Sequence, residues 1–430
     1  MGGGLAGLAA AYFAKRQRPE SEVVVLEAGR VGSGASGSST GMVGPNVGGN
    51  IVALRRRYGD AMAARMFQAS LDAVATFTHL VREERLSCDL AETGQLVVAR
   101  TRREAEGLQA QAESFSELGF DIPLIERDAL EGLAPDARCV AALSYERAAL
   151  VDPLRMCRSL RDRLVTMGVP VHEHARVTRI SPGAGVRLEI EGGTSLRARK
   201  VLLATDGFTH HLGVLRRCVV PMQAHVVLTE ALPPARLDQL GWPGRQAIVE
   251  CRNFFGYYRL TADNRLLFGG GRPTVQEVGS PHTPVHARTW ARVEQELRAR
   301  FPALTDVPIA DRWYGTIGCT LDRLPIVGPV PGLEDVWFSG AWSGHGLAMS
   351  VACGELVAAL MSGATPAGSD LPWVRGSAPG LPAGRRLRST GVRAYLQSLD
   401  MADGVASAVD RIERRETSGR GTAARRGRVG

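Results

Sequence analysis

Lysine is nearly missing from this 430-residue chain: of 52 basic residues only Lys15 and Lys200 are lysines, and arginine supplies the rest. That imbalance reads as the mark of a GC-rich coding sequence rather than of a function. Cysteine is sparse and unpatterned. The seven copies (Cys88, Cys139, Cys157, Cys218, Cys251, Cys319, Cys353) include no C-x-x-C pair, which argues against a disulfide framework and for reduced thiols in a cytoplasmic protein. A metal-binding pattern is missing too, because His282 and His286 have helical spacing but Pro284 between them breaks the helix that spacing requires. No signal peptide is visible. The longest apolar stretch, residues 347–361, is interrupted by Glu355 and is too short for a bilayer, so it reads as a buried helix and no membrane span is expected.

What is present is ordinary for a globular protein, with 44% hydrophobic and 22% charged residues and enough length for two domains sharing a large core. The net charge of +8 invites a nucleic-acid reading, but residues 412–430 hold six arginines against two glutamates, half of the excess. That Gly/Ser/Thr-rich tail cannot bury a core and reads as disordered and solvated, not as a nucleic-acid arm.

The chain opens on Gly2-Gly3-Gly4-Leu5-Ala6-Gly7, a complete G-x-G-x-x-G, and Glu27 follows Gly7 by 20 residues, at the end of the apolar run Val23-Val24-Val25-Leu26. Glycines at those positions let the backbone turn tightly against a pyrophosphate at a helix N-terminus, and the acid accepts hydrogen bonds from a ribose. A buried strand should precede the motif, and only Met1 stands there. The expectation is a start recorded downstream of the true one; the alternative is a truncated chain that holds no cofactor.

Between the second strand and residue 60, Gly32-Ser33-Gly34-Ala35-Ser36-Gly37-Ser38-Ser39-Thr40-Gly41 is too polar and Gly-rich for a strand or helix. Helices are expected over 60–84, from 104 to about 118, from Asp152-Pro153 to about 168, over 284–301 and over 346–361, with Asp152 as N-cap. Strands are expected at 92–100, 169–172, 176–180, 186–190, 200–204, 223–229, 254–260, 265–268, 313–320 and 336–339. Cofactor-type elements thus fall in separated stretches, and the expected fold is α/β: a discontinuous Rossmann-like domain interleaved with an α+β substrate domain on an antiparallel sheet. The boundaries read as 1–85, 147–215 and 310–363 for the first unit and 86–146 and 216–309 for the second. Residues 364–411 read as a C-terminal extension.

Two further segments suit a dinucleotide. Val201-Leu202-Leu203-Ala204-Thr205-Asp206-Gly207 is a buried strand running into a turn, where parallel sheets place ligands. Gly340-Ala341-Trp342-Ser343-Gly344-His345-Gly346 lies between a strand and an apolar helix whose N-terminal amides face the loop. With Leu150-Val151-Asp152-Pro153 and Leu324-Pro325-Ile326-Val327-Gly328 in the same order, the chain resembles the D-amino-acid-oxidase-like superfamily of FAD-dependent amine oxidoreductases, the group of the glycine and sarcosine oxidases. The run from Tyr257 to Gly270, YYRLTADNRLLFGG, is most similar to the gamma-glutamylputrescine oxidase branch.

This resemblance implies that FAD is the cofactor. Gly2, Gly4 and Gly7 would hold its pyrophosphate, Glu27 with Ala28 the adenosine ribose, and Val177 the adenine side. Ser36, Gly37, Ser38 and Ser39, within the stretch to Gly41, would line the pyrophosphate and isoalloxazine, Thr205 and Gly207 would close over the cofactor, and Gly340, Gly344, His345 and Gly346 would sit at the flavin ring. It further implies hydride transfer from the carbon beside a neutral amine to the flavin, with hydrolysis of the resulting imine. Sarcosine-type enzymes attach flavin through a cysteine where Gly315 stands, so noncovalent FAD is expected. Their carboxylate-binding lysine is replaced by Ala348, which favours a longer amine than an N-methyl amino acid. Neither lysine is placed to assist oxygen, leaving the acceptor as oxygen or another molecule, in an oxidase or a dehydrogenase. On the substrate side either Tyr257 with Arg259, or Tyr258 alone, faces the pocket. Trp342 reads as a wall of the amine site or as core, and His345 as a positioning group or a base. The candidate catalytic set is therefore His345, Tyr258 and Arg259, acting on a small-molecule amine.

Overall fold

The computed structural model describes residues 1–275 and 286–381 and scattered positions between 390 and 401. The basic tail and His282 lie outside the described residues. The elements are built as their local sequence dictates. The opening helix Leu5–Gln17 is buried from Leu5 to Phe13, carries neither a side-chain cap nor an acid in its first turn, and places Lys15 and Arg16 in its last turn. Its first amide, of Leu5, donates to Ser36 Oγ at 2.9 Å, while its C-terminal dipole is matched by cations. It packs on the closing helix Gly346–Met361, whose buried residues lie on all sides. The two come close because Gly354 lacks a side chain: a Cβ there would stand 2.8 Å from Ala9 Cβ and 2.9 Å from the Ala10 amide nitrogen.

Strand Val25–Leu26 runs parallel to Val171–His172, and Val201–Leu203 runs parallel to Val336–Gly340, which is antiparallel to Ile326–Pro329. Met1 and Gly2 bridge the two groups. The Gly2 amide donates to Leu26 O at 2.8 Å, the Met1 nitrogen to Leu202 O at 2.8 Å, and the Ala204 amide to Met1 O at 2.8 Å. These two residues thus lie where the glycine motif's own strand ends, between the second strand and the Thr205 strand. On the far side, Val327 donates to Trp373 O and Arg375 to Val327 O, both at 2.9 Å, with Trp373 2% exposed in the main core. Residues 371–375, expected to lie in a separate extension, therefore add to the cofactor unit.

Among the described residues the second unit is a nine-stranded, largely antiparallel sheet, with one parallel pairing between Gln95–Ala99 and Ala247–Glu250. Ile309–Cys319 pairs along Val220–Ala231 from Cys319↔Val220 to Ile309↔Thr229. This corrects the boundary read at residue 310: the strand belongs to the sheet, and the chain returns to the cofactor unit only after Cys319. The helices begin where their caps say. Asp152 accepts from Leu154 and Arg155 ahead of Pro153–Thr166, and Thr101 with Glu104 forms a full capping box for Arg102–Glu117. The Gly/Ser stretch holds one short helical turn, Ala35–Ser38, where no helix was expected. It forms because Gly32 has φ +78° and a Cβ on Gly37 would meet Gly32 O at 2.2 Å.

On Val220–Ala231 the residues Gln223, His225, Val227 and Thr229 are all buried. His225 meets Trp290 edge-on at 5.4 Å, and burial pushes its imidazole down to about 4. An unfolded histidine titrates near pH 6.5, so the unfolded chain takes up a proton that the folded chain refuses. The stabilisation is complete above that value and is lost as pH falls towards 4. Between pH 7 and pH 5 this one group removes about 2 kcal/mol of folding free energy. Denaturant unfolding of wild type and His225→Gln at the two pH values should show the variant losing correspondingly less; equal losses would exclude His225 as the source.

Candidate active site

Three sequence-distant turns meet at one place. A Cβ on Gly2 would stand 2.4 Å from Ala204 O, and one on Gly7 would stand 2.0 Å from Gly2 O, so the motif's glycines are where strand, helix and the second turn touch. The Leu5 amide donates to Ser36 Oγ at 2.9 Å, and a Cβ on Gly4 would meet that oxygen at 2.8 Å. Glu27 accepts the Gly3 amide at 2.6 Å and the Gly29 amide at 2.7 Å, and each carboxylate oxygen keeps a lone pair for a hydroxyl donor. Ala28 and Val177 are half-buried, Val177 packing in the cluster that holds Leu26 and Met1.

Asp206 ties the second and third turns together. Its carboxylate accepts the Gly318 amide at 2.8 Å, the Ala341 amide at 2.7 Å and the Trp342 amide at 3.4 Å, from a backbone at φ +40°. Burial raises its pKa, and backbone donors including these three pull the other way. Thr205 Oγ1 meets Thr209 Oγ1 at 2.8 Å, and a Cβ on Gly207 would stand 3.0 Å from the Ile317 carbonyl carbon. A Cβ on Gly340 would lie 3.3 Å from Asp206 Cα, while Ser343 donates to Gly318 O at 2.9 Å. Gly344 takes φ +90°, a conformation that favours glycine.

The Gly/Ser loop closes on the sheet of the other unit. Trp313 Nε1 donates to Ser38 O at 2.8 Å, and a Cβ on Gly315 would stand 2.5 Å from Ser38 Oγ. Ser38 Oγ itself donates to Gly34 O at 2.9 Å, and Ser39 Oγ accepts the Gly41 amide at 3.4 Å. Cys319 is held near 12 by burial and by the neighbouring Asp206 charge, so its thiol is inert.

Alternation along Tyr257–Leu260 settles which side chains face this region. Tyr258 corrects the expected catalytic set: it is 0% exposed on the opposite face, packed against Trp242, Phe268 and Phe301. Arg259 points to the cofactor unit, donating to Thr40 O at 2.5 Å and Val151 O at 2.9 Å, and burial lowers its pKa to about 10. It fastens the Gly/Ser loop to the sheet through backbone carbonyls. His345 caps the closing helix; its Nδ1 is buried without a partner. Burial, with Arg323 nearby, pushes its imidazole down to about 3. A group so weakly basic stays neutral and serves better in hydrogen bonding than as a proton acceptor. It lines a narrow cleft with Asn46, Arg323, Trp342 and Met349 among its neighbours. Sequence reasoning missed Asp206 as the link between these turns. The one signal for Asp206 was an acid between an apolar strand and a glycine.

Uncapped helix starts, glycines whose Cβ positions are occupied by facing backbone, a strand-end carboxylate and an orphaned imidazole nitrogen together fit a dinucleotide carrying a flavin. The family model described as "DAO: FAD dependent oxidoreductase" matches residues 1–360. The chain belongs to this family, and FAD is its cofactor. A gamma-glutamylputrescine oxidoreductase from Escherichia coli is 28% identical over 369 residues, covering 84% of this chain and 83% of the relative. A sarcosine oxidase subunit beta from Arthrobacter sp is 23% identical over 359 residues, with 80% and 82% covered. Among solved structures, glycine oxidase from Geobacillus kaustophilus superposes with a TM-score of 0.73 at 22% identity, over 85% of this chain and 94% of that one. No helix among the described residues is long and apolar enough to cross a membrane.

Proposed function

We propose that this chain oxidises the C–N bond of an amine or amino acid that enters through the cleft at His345, giving an imine that water hydrolyses to a carbonyl compound. The observation that carries this reading is the convergence of the three turns with an unpartnered, neutral imidazole opening on that cleft. FAD, when bound, supplies the two-electron acceptor. The chain's own residues hold, orient and exclude water. Gly2, Gly4, Gly7 and the start of the helix Leu5–Gln17 receive the pyrophosphate, Glu27 the ribose, and Ala28 and Val177 the adenosine side. Ser36 to Ser39, Thr205 and Gly207 cover the chain between, and Gly340, Gly344 and Gly346 leave backbone against the ring. Arg259 is a positioning residue, keeping the Gly/Ser loop on the sheet. Attachment is noncovalent, supported by Gly315 and by the inert Cys319 thiol.

A longer amine, such as one of the gamma-glutamylputrescine type, suits a site in which Ala348 is 2% exposed and brings no cation. A second reading, electron transfer to an acceptor other than oxygen, is supported by the two lysines. Lys15 donates to Ser21 O at 3.0 Å and Lys200 to Met361 O at 2.6 Å, the latter at the far end of the closing helix. That end lies about 24 Å from His345 along the helix axis.

The test is to purify the protein, record the flavin bands near ~370 and ~450 nm, and add amines without air. Bleaching by an amine that returns with air supports the oxidase; bleaching that returns only with an artificial acceptor supports the dehydrogenase. A flavin-loaded protein that no amine bleaches ends the proposal.

A further inference from the structure

The family match ends at residue 360, yet the chain beyond it is bound to both units. After Trp373 and Arg375 pair with Val327, the chain passes close under Pro329, where a Cβ on Gly376 would stand 2.2 Å from Pro329 O. It then reaches the start of the strand Val220–Ala231. Cys218 Sγ donates to Ala378 O at 3.1 Å, the Leu381 amide donates to Arg217 O at 2.7 Å, and Arg217 Nε donates to Leu381 O at 3.0 Å. All three bonds engage the C-terminal segment through its backbone, so they fix where Leu381 lies whatever its side chain.

Leu381 covers the end of the sheet's cofactor-facing side. Alternation along Val220–Ala231 turns Gln223, His225 and Val227 to the far face and Val220, Met222 and Ala224 to the near one. Register sets Ala224 beside Gly315 and Met222 beside Ile317. The first pair lies on the Ser38 loop. The second reaches the other two turns, since a Cβ on Gly344 would stand 3.9 Å from Ile317 Cδ1 and one on Gly207 3.1 Å from Ile317 O. Met222, Ala224 and Ile317 are half-buried, whereas Gln223 and His225 are fully buried. The near face thus keeps apolar surface beside the turn of Gly344 and His345.

Behind Met222 that surface ends in one apolar cluster. Its buried members are Val220, Leu381 and Val392, and Phe254, Val275 and Met222 itself pack against them. Two of the three buried side chains therefore come from the C-terminal segment. We propose that Leu381 and Val392 set the depth of the substrate site, acting through Met222, so that this segment selects the length of the amine's aliphatic chain. The proposal rests on the amine-oxidation reading of the same site. Methionine is unbranched and flexible, so its position follows what stands behind it. Leu381 and Val392 keep it beside Ile317, and the substrate chain ends against it; shortening either one gives the thioether room to fold back. An apolar wall of this kind discriminates by about tenfold or more for each methylene. Both are positioning residues, because they act on the substrate through Met222.

The test compares butylamine, hexylamine and octylamine on flavin-loaded wild type, L381A, V392A and L381M by anaerobic bleaching. L381A and V392A should each raise the ratio of kcat/KM for octylamine over butylamine at least about tenfold, chiefly by lowering KM for octylamine. L381M conserves volume and should keep the wild-type ratio. A purely structural role would lower all three amines together and move no ratio. An unchanged ratio in V392A, or in L381A that retains its flavin, overturns the inference while leaving amine oxidation intact; if L381A loses its flavin, V392A alone decides. Binding is read separately, by titrating butyramide and octanamide against the flavin spectrum. Variants that gain octanamide binding over butyramide, with no amine bleaching the flavin, support the wall and remove the oxidation reading instead. No bleaching together with an unchanged amide preference removes both.

Discussion

Replacing Asp206 by alanine is expected to cost about 3 kcal/mol or more of stability and to strip FAD from the protein. The carboxylate is the common acceptor for the amides of Gly318, Ala341 and Trp342, which come from two segments that otherwise meet edge to edge. Without it those donors face one another unsatisfied, at about 1–3 kcal/mol for each that stays dry. Burial opposes ionisation of Asp206, so part of that stabilisation is already spent on desolvating the charge. For that reason the loss stays nearer the lower end of the sum. Asp206→Asn separates charge from geometry. It keeps one acceptor oxygen in place and should fall between wild type and alanine in both denaturant midpoint and FAD retained after gel filtration. The cofactor loss arises because the second and third turns are positioned through this one group. Wild-type flavin content in Asp206→Ala would mean that the turns hold themselves, and that the carboxylate is not the link between them.

The parts legible in the sequence are those governed by local chemistry. Asp152 followed by Pro153 announces a helix start, as do Thr101 and Glu104, because capping needs only a few consecutive residues. The glycine turns are legible for the same reason: close backbone approach leaves few substitutes, and their mutual contact through Ala204 and Asp206 follows from parallel-sheet topology. Tyr258 facing the pocket is one of two phases of a strand. Alternation offers both, and only the apolar face formed with Trp242, Phe268 and Phe301 decides between them. The strand Ala141–Tyr145 is not legible because Ala-Ala-Leu-Ser-Tyr has no β-branched residue and takes its structure from its neighbours. Arg323 is hidden for a related reason. Nothing in Leu-Asp-Arg-Leu-Pro says that Asp322 will be claimed by Arg375, 53 residues away, and that Arg323 will have no side-chain partner among the described residues.

Breaking the buried pair Glu250–Arg300 should cost about 3–5 kcal/mol for either single truncation, while removing both partners together should cost less than either. The pair is bidentate, with Arg300 Nε to Glu250 Oε1 at 2.5 Å and Nη2 to Oε2 at 2.7 Å, and the side chains are 4% and 1% exposed. Burial alone would raise the Glu250 pKa; the guanidinium beside it, with help from Arg100 and the Gly256 amide, brings it below the usual carboxylate range. Arg300 also stacks over Phe268 at 5.1 Å, so its removal opens an apolar surface as well as leaving the Glu250 carboxylate to Arg100 at 3.4 Å and the Gly256 amide. Arg300→Met keeps most of the volume and isolates the electrostatic part. Glu250→Leu takes the bidentate partner from the cation instead, leaving it Glu296 O at 2.8 Å and the Glu296 carboxylate at 3.6 Å. In Glu250→Leu/Arg300→Met both members of the bidentate pair leave together, and Arg100 keeps Asp136 at 3.2 Å. The double variant should therefore recover most of either loss, read as a rise in the denaturant midpoint over both singles. Because these residues occupy the sheet face opposite Arg259, flavin content of the folded fraction should stay unchanged throughout the cycle. Additive single losses would show that the two side chains contribute separately, as packing and not as a pair. A loss of flavin that tracks the loss of the ion pair would show that the sheet transmits strain from its far face to the cofactor loop.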